Sequence, residues 1–348
     1  AAFELDFFGR VRSLSDAALA SYLSTEEAQR AAQISLVSEV AKAYLSERSF
    51  AEQEELSRQT YESRAQAYKL SKQRFDVGAS SALDLRNDEA LMQTARASEL
   101  AAMRQRAQAM NALTLLVGQP LKDLPPAQPL SAQNILTDIP AGLPSDLLTQ
   151  RPDIRSAEQT LLSANANIGA ARAAFFPRIS LTAGLGTSSN ELSGLFEGGS
   201  RSWSFAPQLV LPIFDAGRNR ANLTLTEVRK NIAVANYEKS IQVAFREVSD
   251  ALVARSLLDE QIDAQRLVQE AQAERFKFAT QRFQNGIASS LDVLDAQREL
   301  FSAQLALVQA RQLRLTNAID LYRSLGGGLV ETTVATAPAA TPAAAPVK

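Results

Sequence analysis

Histidine and cysteine are both absent from this chain, which leaves carboxylate chemistry open. That removes the imidazole general base, thiol nucleophiles, disulfides and the usual zinc and iron–sulfur ligands. Among the carboxylates, Asp292 and Asp295 stand three apart in LDVLDA (291–296), a spacing that puts both on one face of a helix. Asp84 occupies the matching place in an earlier phrase. No nucleophile–base pair or metal cluster can be assembled around these groups, so an enzyme is the weakest reading, and no catalytic residue, metal or cofactor is expected. Each aspartate alone also suits a solvated carboxylate in the first turn of a helix.

The elements that position these aspartates are written twice. RFDVGASSALDLRN runs from Arg74 to Asn87 and RFQNGIASSLDVLD from Arg282 to Asp295, an offset of 282 − 74 = 208. The same offset carries Gly9, Arg10 and Arg12 onto Gly217, Arg218 and Arg220. It also carries Glu39 and Val40 onto Glu247 and Val248, Glu52 and Gln53 onto Glu260 and Gln261, and Gly118 onto Gly326. One offset held over so many landmarks means two copies of one unit with no insertion between them. The copies differ where it matters, since Asn87 stands opposite Asp295.

Within each copy, glycine and proline are missing between Gly9 and Gly78 and between Gly217 and Gly286. Such tracts predict helices of about 65 residues, roughly 100 Å long at 1.5 Å per residue. A return limb of roughly 35–40 residues, about 55 Å, follows each central glycine. Tyr61, Tyr68 and Phe75, then Phe276 and Phe283, recur at heptad spacing; Phe301, Leu305, Val308, Leu315, Ile319 and Tyr322 follow it on the second return limb, with Gln312 interrupting. Sustained heptads argue for coiled-coil packing, and these stripes read as core. Gly78 and Gly286 then become the tips of antiparallel hairpins. A turn needs the glycine, but it does not need Arg-Phe before it or Ser-x-Leu-Asp after it.

From Ile179 the period changes to two. Ile179, Leu181, Ala183 and Leu185 alternate with Ser180, Thr182, Gly184 and Gly186, and after a glycine-rich loop Trp203, Phe205, Pro207, Leu209, Leu211 and Ile213 alternate with smaller or polar residues. This predicts a β-hairpin over 178–214 with one apolar face. That face either packs on a core or meets lipid, as in a transmembrane barrel; Trp203, Phe175 and Phe176 are candidate membrane-interface aromatics. The offset lays Ala1, Phe3 and Leu5 on Leu209, Leu211 and Ile213, so the chain is expected to open inside the second strand of its first unit, as a fragment or processed product. Two or four strands cannot close a barrel, and an open edge is not tolerated in lipid, so symmetric copies are required. A net charge of −2 leaves no basic footprint for nucleic acid. The Ala/Pro/Thr-rich end, 329–348, reads as a disordered tail.

Four motifs together carry a family resemblance: LPSDLLTQRPDIRSAE from Leu143, ANIGAARAAFFPRISLTAG from Ala166, FDAGRNRANL from Phe214, and the paired tips. Over about residues 1–328 the chain resembles the TolC-like outer-membrane efflux proteins, more closely the OprM-type branch that works with RND drug pumps. The resemblance implies a mainly α fold with a small β part: long coiled-coil hairpins forming an α-barrel, and transmembrane strands given to a 12-stranded β-barrel shared by a homotrimer. The repeats would be 1–118 and 151–328, the latter opening with a helix over 151–176, joined by an equatorial linker at 119–150. Ala164, Ala166, Gly169, Ala170, Ala171, Ala173 and Ala174 would let the helix from Arg151 pack closely, and Pro177 and Pro212 would mark the strand–helix junction.

By the same resemblance Asp292 and Asp295, with Asp84, would line a periplasmic constriction, where three copies of the first two give six carboxylates that attract cations. Arg74, Gly78, Ser81, Arg282, Gly286 and Ser289 would meet the hairpins of a periplasmic adaptor, the membrane fusion protein. The implied function is a passive duct in the outer membrane of a Gram-negative bacterium, in contact with outer-membrane lipid and driven by an inner-membrane RND pump. A duct for type I protein secretion keeps the same fold with another client. A soluble periplasmic coiled-coil scaffold is the alternative of a different class.

Overall fold

A computed structural model of the chain describes residues 1–121, 128–133, 149–188, 190–196 and 198–327. The tail expected at 329–348 and most of the linker expected at 119–150 lie outside the described residues. In chain order the elements are β1 (Ala2–Leu5), α1 (Arg10–Asp76), α2 (Ala82–Val117), a 3-10 turn (Leu130–Ala132), α3 (Pro152–Ala173), β2 (Arg178–Thr187), a second 3-10 turn (Leu192–Phe196), β3 (Arg201–Val210), α4 (Arg218–Gln284) and α5 (Ser290–Ser324). The two tracts free of glycine and proline become uninterrupted helices of 67 residues each. Ion pairs one turn apart, such as Arg30–Glu26, Arg58–Glu55 and Arg266–Glu270, support their solvated faces.

The chain divides into two compact units, Ala1–Val37 with Gly142–Asp250, and Ser38–Ala141 with Ala251–Lys348. Each is therefore assembled from segments of both sequence repeats.

In the first unit the strands form one antiparallel sheet of order β1-β2-β3. Phe3 pairs with Leu181, Leu181 with Pro207, and Leu185 with Trp203, so the apolar positions of all three strands share one face. Helix α3 lies close along the start of α1. Ser163 Oγ donates to Ala17 O at 2.9 Å, and Ser156 Oγ to Ser24 O at 2.9 Å. A Cβ placed on Gly169 would stand 2.6 Å from Ser13 Oγ, which is the close approach that the small-residue stripe of α3 anticipates. Ala171 and Ala173 are buried there, and Ala164, Ala166, Ala170 and Ala174 are half-buried. At the N-terminus of α3 the buried Arg151 bridges Asp153 at 2.6 Å and Glu247 at 2.9 Å.

In the second unit Leu45, Leu130, Val308, Leu315 and Ile319 form the core, with Ala41, Tyr44 and Leu56 against it. Three members of the predicted α5 stripe are thus buried, while Tyr322 is exposed and its neighbour Leu321 is buried instead. A helix of 3.6 residues per turn drifts off a strict heptad, which moves the stripe by one position over several turns. Gln312, the interruption, donates from Nε2 to Ser46 Oγ at 3.1 Å, so its polar group is satisfied inside the packing. Buried Glu47 pairs with Arg48 and with Arg106, and Glu52 accepts from the Leu130 amide at 2.5 Å.

Candidate functional site: two helical tips and an apolar strand face

Both tips belong to the second unit and close in the same way. Gly78 has φ +74° and Gly286 φ +73°, the left-handed conformation that glycine adopts without a Cβ penalty. The amides of Gly78 and Ala79 bond to the carbonyls of Phe75 and Arg74 at 2.9 and 2.7 Å; those of Gly286 and Ile287 bond to Phe283 and Arg282 at 3.0 and 2.8 Å. Only the backbone of Arg-Phe takes part in these bonds. The side chains of Arg74 and Arg282 are exposed, as are Gly78, Ser81, Gly286 and Ser289.

Ser-x-Leu-Asp has a local explanation. Ser289 is the N-cap of α5, and its amide donates to Asp292 Oδ2 at 3.0 Å while Asp292 N donates back to Ser289 Oγ at 3.4 Å, a full capping box. Hydrogen bonds from the Ser289 side chain, then from its backbone, hold the Asp292 carboxyl below the usual aspartate range. At the first tip Ser81 accepts from Asp84 N at 3.1 Å and its hydroxyl donates to Asp84 Oδ2 at 2.7 Å.

Asp295 is different. Its two oxygens are held by Arg275 Nη2 at 2.7 Å from α4 and Arg298 Nη2 at 2.5 Å from α5. Sequence reasoning singled out the aspartate and missed both arginines. The signal was present in the repeat: subtracting 208 from 275, 295 and 298 gives Ala67, Asn87 and Ala90, so all three members of the cluster are replaced together in the first copy. Among the described residues, no group of acidic side chains is placed to hold a metal ion.

The second feature is the sheet. Leu185 is 89% exposed, Trp203 78% and Phe3 66%, and Phe205 and Leu209 on the same face are exposed as well. Each large apolar side chain left in water forgoes roughly 1.5–3 kcal/mol of burial. A face made wholly of such residues therefore demands an apolar cover. Strands of ten residues are also the length that crosses a bilayer when tilted. No helix among the described residues is long and apolar enough to cross a membrane. Trp203 lies toward the loop end of the hairpin, whereas Phe175 and Phe176, both exposed, immediately precede β2 at its other end; Phe176 stacks on Phe8 with ring centroids 4.6 Å apart. Aromatic side chains thus stand toward both ends of the apolar strands.

Comparison with known proteins agrees with this geometry. The outer membrane efflux protein family matches residues 1–119 and 143–327. Outer membrane protein OprJ of Pseudomonas aeruginosa is 51% identical over 327 residues, covering 94% of this chain and 68% of that one. The toluene efflux pump outer membrane protein TtgI of Pseudomonas putida is 50% identical over 328 residues, covering 94% of this chain and 70% of that one. Among solved structures, the open state of the Neisseria gonorrhoeae MtrE outer membrane channel superposes with a TM-score of 0.84 at 43% identity, over 94% of this chain and 74% of that one. Long helical hairpins and a small antiparallel sheet are thus shared with outer-membrane channels across nearly the whole chain, which belongs to the outer membrane efflux protein family and resides in the outer membrane with a periplasmic helical part.

Proposed function

We propose that this chain is the subunit of a passive export duct, the outer-membrane channel of a tripartite efflux system. The observation that carries the reading is the uncovered apolar sheet face, joined in one chain to helical hairpins with exposed tips. The family consists of channels and is not an enzyme family. Lipid covers the apolar face, and the polar face, with Ser180, Thr182, Ser204 and Gln208, borders the water-filled bore. The open edges at β1 and β3 require neighbouring strands, so the subunit works in a homotrimer; a twelve-stranded barrel takes four strands from each subunit, and β1, β2 and β3 are three of them. The repeats 1–118 and 151–328 each supply one hairpin to the periplasmic tunnel.

The tips form the entrance. Arg74, Gly78, Ser81, Arg282, Gly286 and Ser289 meet a periplasmic adaptor, and an inner-membrane RND pump supplies the energy. Asp292, Asp295 and Asp84 lie at the constriction. Because Arg275 and Arg298 hold Asp295, the ring there is one of ion pairs that separate as the helices move, rather than one of bare carboxylates. Relatives named for toluene and solvent efflux favour small apolar clients.

The test is single-channel conductance of the purified protein in a planar bilayer, wild type against Asp292→Ala/Asp295→Ala. A small cation-selective conductance that grows and loses selectivity in the variant is the expected result. An unaltered conductance removes the gate from these aspartates. No conductance from folded, inserted trimers overturns the duct.

A further inference from the structure

In the second unit, α1, α2 and α5 enclose a groove of about 240 Å³, just under the size of drug-binding sites. Its wall contains Arg64, only 6% exposed. A guanidinium so deep ordinarily has a carboxylate partner. Here Nη1 is sealed from solvent with no hydrogen-bond partner among the described residues, and Nη2 makes one long bond, 3.4 Å to Leu294 O. Burial depresses the Arg64 pKa; Asp88 acts against this but forms no ion pair with it, and Arg298 adds to it.

Among the other groups in the groove, the buried Ser57 hydroxyl is a second, neutral donor, which leaves Arg64 as the interior cation. Thr60, Thr94 and Ser98 already spend their hydroxyl protons on the helix carbonyls of Leu56, Ala90 and Thr94, at 2.9, 2.8 and 3.1 Å. Asp295 and Arg298, which also border the groove, are committed to each other. Leu91, Leu294 and Phe301 make the remaining wall apolar. A cavity with one unsatisfied cationic donor and an apolar lining matches one class of ligand.

We propose that this groove binds a small amphiphilic anion, a carboxylate head on a short aliphatic tail, with the head on Arg64 and the tail against Leu91, Leu294 and Phe301. Since Nη1 is sealed in the wall, the Arg64 side chain turns out of it to meet the head group. The second repeat carries Gln272 at the equivalent position (64 + 208), so each chain has one such site.

The experiment is isothermal titration of the purified protein, exchanged into amphipol, with octanoate and with uncharged octanamide. Wild type should take up octanoate at one saturable site per chain and octanamide at least about tenfold more weakly, a difference of about 1.4 kcal/mol. Arg64→Met should lose that preference. Its melting temperature should be unchanged or higher, because an unpaired buried cation has been replaced by an apolar side chain. Ala95→Phe, which fills the groove and keeps Arg64, should abolish binding of both compounds. The proposal is overturned by the absence of a saturable site, by equal affinity for the acid and the amide, or by wild-type binding in either variant. A markedly lower melting temperature for Arg64→Met overturns it too, since Arg64 would then be a satisfied structural group.

Discussion

At Gly78 and at Gly286 the chain makes one turn twice, with φ angles a degree apart and the same pair of closing hydrogen bonds, and then starts a helix with Ser-x-Leu-Asp. From there the tips diverge. The second has the reciprocal capping box and, one helical turn later, an aspartate clamped by arginines from both limbs of its hairpin. In the first, Ser81 receives the Asp84 amide, and alanine, asparagine and alanine stand where the clamp would be. The lesson is that geometry and charge were separated after duplication. The turn was kept because its backbone demands it. The ion-pair cluster is present in one copy only, and its three members differ between the copies as a set.

The largest effect that would break this comparison is on conduction. Asp295→Asn makes the second tip like the first and releases Arg275 and Arg298, so single-channel conductance should rise several-fold. Asn87→Asp should change it little, because Ala67 and Ala90 offer the new carboxylate no partner. Equal responses from the two tips would show that the arginine clamp is not what distinguishes them.

A smaller effect separates the caps. Ser289→Ala removes the side-chain half of a capping box and leaves Asp292 accepting from the backbone amide of position 289, so it should cost the first turn of α5 about 1 kcal/mol or less. Ser81→Ala should cost α2 more, because no reciprocal bond to the cap amide is left to hold that turn. Amide hydrogen exchange at the start of each helix measures both, and a larger loss at Ser289 would reverse the ranking.

The smallest effect is acid-induced. The Asp292 pKa in the folded chain is lowered, so its cap contributes fully above the ordinary aspartate range, about 3.9, and is lost as pH falls through the depressed folded value. Exchange protection at Ser289–Asp292 should therefore persist at a pH where ordinary aspartates are already half protonated, and disappear below it. Protection that fades at the ordinary value would mean the box does not form.

Much of this molecule was legible because its regularities are local. A tract without glycine or proline became α1, an alternation from Ile179 became β2, and a repeated glycine became both turns. Membrane contact was weaker in the sequence, since an apolar strand face can equally pack on a core; Leu185 and Trp203 are exposed in the chain, and its likeness to outer-membrane channels is what favours lipid. The role of Ser289 and Asp292 was half read. They were singled out as constriction and tip residues, and the local hydrogen bonds that occupy them emerged only in the structure.

The sequence by itself therefore determined the helices, the turns, the strands and their two faces, because periods of 3.6 and 2 and left-handed glycine positions are properties of neighbouring residues. Tertiary structure decided which charges are partnered. Arg275 meets Asp295 only because a turn brings positions twenty apart together. Arg64 is left without a partner only because three helices close over it. The tight seam at Gly169 and Ser13 likewise exists only where α3 is laid against α1. Charge pairing and close approach depend on distance in space, and no period along a chain encodes that.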